Sequence, residues 1–173
     1  MPDWWRRGGS LRLAAASLIT GRSRRYQVVR WAQRRWRRSE QMSDRAVYID
    51  SSAFMKLVIE EPETTALRRY LRRRSLMVAA ALLRTEVLRA SMRISQAHVA
   101  HARRLLPDIA LIEVDRSVLE RAGELTPPEM RSLDAIHIAA ALSLGDGIDE
   151  FVTYDRRMSE AARGWGLAVA APS

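Results

Sequence analysis

The 173-residue sequence contains no cysteine and one lysine, Lys56. The first absence excludes disulfides, thiolate metal sites and cysteine nucleophiles, and it agrees with a reducing cytoplasm, the location expected for the chain. With only three histidines, any bound metal has to be held by oxygen or by one of these imidazoles. No apolar run approaches the roughly 20 residues needed to cross a bilayer, so a membrane is not an expected partner. There is also no internal repeat, and no low-complexity linker interrupts the body of the chain.

What is abundant is arginine. The formal charge of +9 suggests nucleic acid as a partner until it is divided along the chain. Residues 1–45 carry 12 arginines against Asp3, Glu40 and Asp44, whereas residues 46–173 hold 17 basic and 17 acidic side chains. The excess thus sits entirely at the N-terminal end, and the body is neutral.

Residues 1–43 form an Arg/Trp-rich extension with helical spacing only near Tyr26–Arg38. It admits three readings. As an arm for nucleic acid or a membrane surface, it would use Arg for phosphates and Trp for stacking or anchoring. As a secretory signal it is poor, because Arg12 interrupts a short apolar run. In the third reading Met42 is the natural start and the preceding residues are upstream sequence, a view that the Arg-rich, Lys-poor composition of GC-rich coding DNA favours.

Residues 44–173 read as one α/β domain, long enough to bury a sizeable core. AVYI (Ala46–Ile49) is a short buried strand. Ser51 and Ser52 are expected to cap a helix to about Ile59, and Pro62 to open another to about Arg74. Further strands are expected at Ser75–Ala80, Ile109–Val114, Phe151–Tyr154 and Leu167–Pro172. Helices are expected at Leu82–Met92, Ser95–Leu106, Arg116–Leu125, from Ser132 to a stop at Gly145, and at Arg156–Arg163. Strands alternating with helices predict right-handed crossovers and a mostly parallel sheet covered on both faces.

In such a sheet the ligand site lies beyond the carboxyl ends of the strands. Asp50 ends the first strand and Asp155 follows the fourth. Asp134 sits in the first turn of a helix, where free N–H groups and the dipole favour an ionised carboxylate. Glu86 interrupts an otherwise apolar helix segment. Carboxylates brought together repel, and a hard divalent cation reverses the sign of that interaction. Such an ion can activate water and stabilise a leaving oxygen, which points to phosphodiester hydrolysis.

Each residue alone has a plainer reading. Asp155 could be only a helix cap, Asp134 only a dipole complement, and Glu86 the partner of Arg89 or Arg93. His137 reads better as a packed residue behind the site than as a ligand. Ser52 and Thr153 stand close enough to acids to hydrogen-bond them.

The combination of Asp50-x-Ser52 after a strand, Thr85-Glu86 in a helix, Arg131-Ser-Leu-Asp134-Ala-Ile-His-Ile-Ala and Thr153-Tyr-Asp155-Arg-Arg-Met resembles the PIN-domain ribonucleases. Within these it is most similar to the VapC-type toxins of bacterial toxin–antitoxin pairs, over about residues 44–171. The resemblance implies a three-layer α/β/α fold that cleaves RNA with Mg²⁺ or Mn²⁺. The metal would be held by Asp50, Glu86 and Asp134, with Asp155 completing the site directly or through water. It further implies Ser52 and Thr153 as supporting hydroxyls, Lys56, Arg131 and Arg156 as phosphate contacts, a homodimer, and silencing by a cognate antitoxin. The long leader departs from the family layout.

Other classes fit less well. A phosphoacceptor receiver domain needs an acceptor Asp after a middle strand and a late Lys. Here the third strand ends in Glu113-Val-Asp115, and no lysine follows Lys56. An acid-nucleophile phosphatase would want Asp where Ser52 stands. A non-catalytic nucleic-acid-binding module would have no electrostatic reason to keep four like charges together.

Overall fold

The computed structural model describes residues 46–173. The expected extension, its Tyr26–Arg38 helix and the Met42 start lie outside the described residues.

Five strands form one fully parallel sheet in the order β3-β2-β1-β4-β5. They are β1 (Ala46–Ile49), β2 (Leu76–Ala80), β3 (Ala110–Ile112), β4 (Glu150–Val152) and β5 (Val169–Ala170). Between β1 and β2 run α1 (Ser51–Val58) and α2 (Thr64–Leu71), and between β2 and β3 run α3 (Leu82–Met92) and α4 (Gln96–Leu105). α5 (Arg116–Glu124) and α6 (Ser132–Leu142) precede β4, and α7 (Arg156–Gly164) precedes β5. No helix among the described residues is long and apolar enough to cross a membrane.

Period-two alternation divides β1 between two cores. Val47 and Ile49 pack with Phe54, Leu67, Leu83 and Val87 from α1, α2 and α3. Tyr48 faces the other way, among residues of α5, α6 and α7 that include Val118, Ile138 and Met158. A strand buried on both faces has no polar alternation to display, which is why AVYI reads as a continuous apolar run. The result is the expected three-layer α/β/α arrangement.

The strand order reverses between β1 and β4. Connections from β1 proceed to β2 and β3 on one side, and those from β4 proceed to β5 on the other. This is a topological switch point, where loops splay apart above the sheet and leave a crevice. The order also separates the chain from receiver-type folds, whose parallel sheet runs 2-1-3-4-5. Asp115 has an ordinary task here: it caps α5 by accepting from Val118 N–H at 3.0 Å.

Candidate active site

Asp50 is the first residue after β1, in extended conformation, and it is the N-cap of α1. Its Oδ1 accepts from Ala53 N–H at 2.9 Å. The capping role that the sequence suggests for Ser51 and Ser52 thus falls to the acid, and both serine hydroxyls are free to serve carboxylates. Ser52 Oγ donates to Asp50 Oδ1 at 2.8 Å, and Thr153 Oγ1, just past β4, donates to Asp50 Oδ2 at 2.8 Å. Ser52 Oγ also accepts from Tyr154 N–H at 2.9 Å, so one hydroxyl ties the ends of β1 and β4 together.

Asp50 is only 3% exposed. Burial pushes its carboxyl above the usual range, opposed by the hydrogen bonds from Ala53, Thr153 and Ser52. The cap itself needs no charge, since Asn would accept the same bond, so the ionised form of this buried acid is a cost that folding does not require.

Glu86 projects from α3 and is half-buried, held by two donors on one oxygen. Ser51 Oγ donates to Oε2, and His137 Nε2 lies 2.7 Å from the same atom. Burial pushes this carboxyl up, but the bonds from His137 and Ser51 prevail and leave it below its ordinary value. Arg89 and Arg93, the alternative partners, form no ion pair with it among the described residues.

Asp134 lies in the first turn of α6, whose N-cap is Arg131 with no side-chain capping bond; Ser132 is the first helical residue. A helix N-terminus by itself favours the charged form. Burial and the neighbouring Asp155 carboxylate instead push Asp134 above the usual range, against Arg131 and Arg157. Two helix N-termini meet here, and the second brings its own acid. Asp155 caps α7, accepting from Arg157 N–H at 2.8 Å and Met158 N–H at 3.1 Å. It therefore fills the plain capping role while also acting electrostatically on Asp134.

The basic candidates separate. Arg131 is exposed, and its charge acts on Asp134. Arg156 is exposed and faces Glu160 at 3.8 Å, whereas it is the next residue, Arg157, whose charge acts on Asp134. Lys56 is committed elsewhere: its ammonium pairs with Glu61 and, at 2.9 Å, with Glu63, and lies 4.7 Å from the centre of the Tyr154 ring. In this structure it is an ion-pair anchor between α1 and the start of α2.

Sequence patterns do not point to Ser51 as a partner of Glu86, to Arg157, or to Tyr48 behind His137. A usable signal existed for Tyr48, since a phenol in a fully buried strand must find a hydrogen-bond partner.

Among the described residues no three acidic or histidine side chains close tightly around one point. The donor set is nonetheless all oxygen, and Asp50 and Asp134 are held above their usual range by burial and, for Asp134, by like charge, a condition that a cation reverses. This suits a hard divalent ion such as Mg²⁺, which binds through one or two carboxylates and keeps several waters.

Fold and site together define a doubly wound α/β domain with an acidic site at its switch point. A PIN domain family model matches residues 47–164. The chain is 49% identical over 128 residues to Ribonuclease VapC46 of Mycobacterium tuberculosis, spanning 74% of this chain and 98% of that protein. It is 37% identical over 131 residues to Ribonuclease VapC47 of the same species, spanning 73% and 96% respectively. Two crystal structures share the fold. Mycobacterium tuberculosis VapC20, a sarcin-ricin loop cleaving toxin, has a TM-score of 0.55 at 18% identity over 66% of this chain and 94% of that one. VapBC2 from Rickettsia felis, bound to a DNA fragment from its promoter, has a TM-score of 0.58 at 9% identity over 74% and 99%. The chain belongs to the PIN-domain family.

Proposed function

We propose that this chain is a metal-dependent endoribonuclease acting in the cytoplasm as the toxin of a toxin–antitoxin pair. The observation that carries the reading is the buried Asp50 carboxylate at the switch point, bridged to β4 by Thr153 and standing next in sequence to Ser51, which holds Glu86. An acid so placed costs stability unless a cation shares it. The names of the curated relatives, ribonucleases at 49% and 37% identity, support the same chemistry.

In this reading Asp50, Glu86 and Asp134 hold Mg²⁺ or Mn²⁺, with Asp155 as a direct or water-mediated fourth. The bound ion supplies an acidified water and neutralises charge on the scissile phosphate. The chain's own part is to keep the carboxylates ionised and in place. Ser52 and Thr153 do this for Asp50 by donating to both its oxygens, and Ser51 and His137 do it for Glu86. Arg131 and Arg157 meet the phosphates of single-stranded RNA, with Arg156 beside Arg157 as the first residue of α7. The partners are the RNA substrate, a second copy of the chain, and an antitoxin that fills the groove.

The test is cleavage of single-stranded RNA by the full chain with and without Mn²⁺. Cleavage that EDTA stops and that Asp50→Asn or Asp134→Asn abolishes supports the assignment. RNA binding without cleavage would favour the non-catalytic module, and undiminished cutting by both variants would overturn the catalytic residues.

A further inference from the structure

Behind Glu86 runs a chain of hydrogen bonds that the cleavage chemistry does not itself require. Ala80 N–H, at the end of β2, donates to Tyr48 Oη at 3.0 Å. Tyr48 Oη lies 2.8 Å from His137 Nδ1, and His137 Nε2 lies 2.7 Å from Glu86 Oε2. Tyr48 is fully buried and His137 is 2% exposed, so water does not substitute for either partner. Tyr48 is fixed in turn by stacking on Phe151, with ring centres 4.9 Å apart and planes 10° from parallel.

The hydrogens along this chain can be placed in one consistent way. The phenol oxygen already takes a hydrogen from Ala80, and its own hydrogen has only His137 Nδ1 to go to. With Nδ1 accepting, the imidazole hydrogen resides on Nε2 and is donated to Glu86. The carboxylate is thereby referenced, through three bonds, to the backbone of the central sheet. Ser51 and His137 both bond Oε2, and among the described residues Oε1 accepts no hydrogen bond.

We infer that His137, with its tautomer set by Tyr48, is a positioning residue for Glu86: it pins Oε2 and leaves Oε1 as the oxygen available to a cation. The inference rests on the reading of Glu86 as a metal ligand. It also accounts for the placing of His137 one turn beyond Asp134 on α6, since a single helix then locates two carboxylates. Glu86 on its own is a half-buried side chain with several rotatable bonds, and a ligand free to swing binds metal more weakly.

The test compares the full-length parent with Tyr48→Phe, His137→Leu and His137→Gln. In the metal-free protein, ¹⁵N NMR of the His137 ring should report the Nε2–H tautomer, and Tyr48→Phe should mix the two tautomers. By calorimetric titration His137→Leu should bind Mn²⁺ about 10-fold more weakly, with His137→Gln, which keeps a donor at the same position, nearer the parent. On RNA, kcat should fall with KM unchanged. A parent with its hydrogen on Nδ1 overturns the inference, as does a folded His137→Leu that binds Mn²⁺ like the parent. If His137→Leu does not fold, Tyr48→Phe decides: unchanged tautomer and unchanged Mn²⁺ affinity overturn it. A parent that neither binds Mn²⁺ nor cuts RNA overturns the functional reading and the positioning role together, while the tautomer measurement still judges the relay by itself.

Discussion

Thr153 Oγ1 donates to Asp50 Oδ2 at 2.8 Å, joining residues 103 apart in sequence across the seam between β1 and β4. This bond favours the ionised form of Asp50 against its burial. Thr153→Val removes it and leaves the carboxylate one donor short, so the Asp50 pKa rises further. Since a cation needs the ionised acid, the acid limb of the pH–rate profile should move to higher pH. Folding stability at neutral pH should fall by about 1–3 kcal/mol, the cost of an unmet buried partner, as measured by urea titration.

Asp50 and Glu86 should respond to amide substitution with opposite signs. The folded pKa of Asp50 lies above the ordinary carboxylate value, so its contribution to stability is full below that value and is lost as pH rises through the folded pKa. At pH 7 the metal-free protein carries this burden. Asp50→Asn relieves it and keeps a competent cap. Its melting temperature in EDTA should equal or exceed the parent's while cleavage is lost. Glu86 has a lowered pKa, so its contribution is present above the ordinary value and is lost as pH falls. Glu86→Gln should therefore destabilise at pH 7, by about 1.5–3 kcal/mol for charge-assisted bonds, or roughly 4 °C per kcal/mol in a thermal scan.

Metal should act on stability as well as on rate. An ion that binds only the folded chain stabilises it by about 2.7 kcal/mol at 100 times its Kd. Mn²⁺ should thus raise the melting temperature of the parent and leave that of Asp50→Asn nearly unmoved. Because Asp50 and Asp134 both sit above their usual range, binding should also release protons near the acid end of the working pH. Calorimetry in buffers of different ionisation enthalpy would detect that release.

The cationic residues should divide into anchor and substrate classes. Lys56→Ala leaves Glu61 and Glu63 without their shared cation and should lower the melting temperature only slightly, because both acids are partly exposed, with no change in KM for RNA. Arg131→Ala and Arg157→Ala should raise KM with little effect on stability. For each arginine removed from the phosphates, the slope of log affinity against log salt should become shallower by about 0.7 on single-stranded RNA.

Much of the fold is legible in the sequence because its signals are local. AVYI, the apolar helix faces and the Ser95 cap, which accepts from His98 N–H, are short-range patterns that tertiary packing does not override. The edge strands are shorter than expected: β3 spans Ala110–Ile112 and ends opposite Ala80, where β2 ends, and β5 spans only Val169–Ala170 and ends opposite Val152, where β4 ends. The acids themselves are readable from their places at strand and helix ends. Whatever depends on cross-chain geometry is not. The sign of the Asp134 shift turns on Asp155 from another helix, and the partnership of Glu86 with Ser51 and His137 spans 35 and 51 residues. The choice of Arg157 over Arg156 is likewise set by how α7 is rotated about its axis, which its spacing alone does not determine.

The reversal of strand order between β1 and β4 has a consequence for the cell that makes this protein. Three of the four acids, Asp50, Glu86 and Asp134, precede β4 in the chain, and only Asp155 follows it. A nascent chain still short of Thr153 on the ribosome has Asp50 without that donor and Asp134 without Asp155 beside it. The site we propose is therefore assembled only once β4 and the first turn of α7 have joined the sheet.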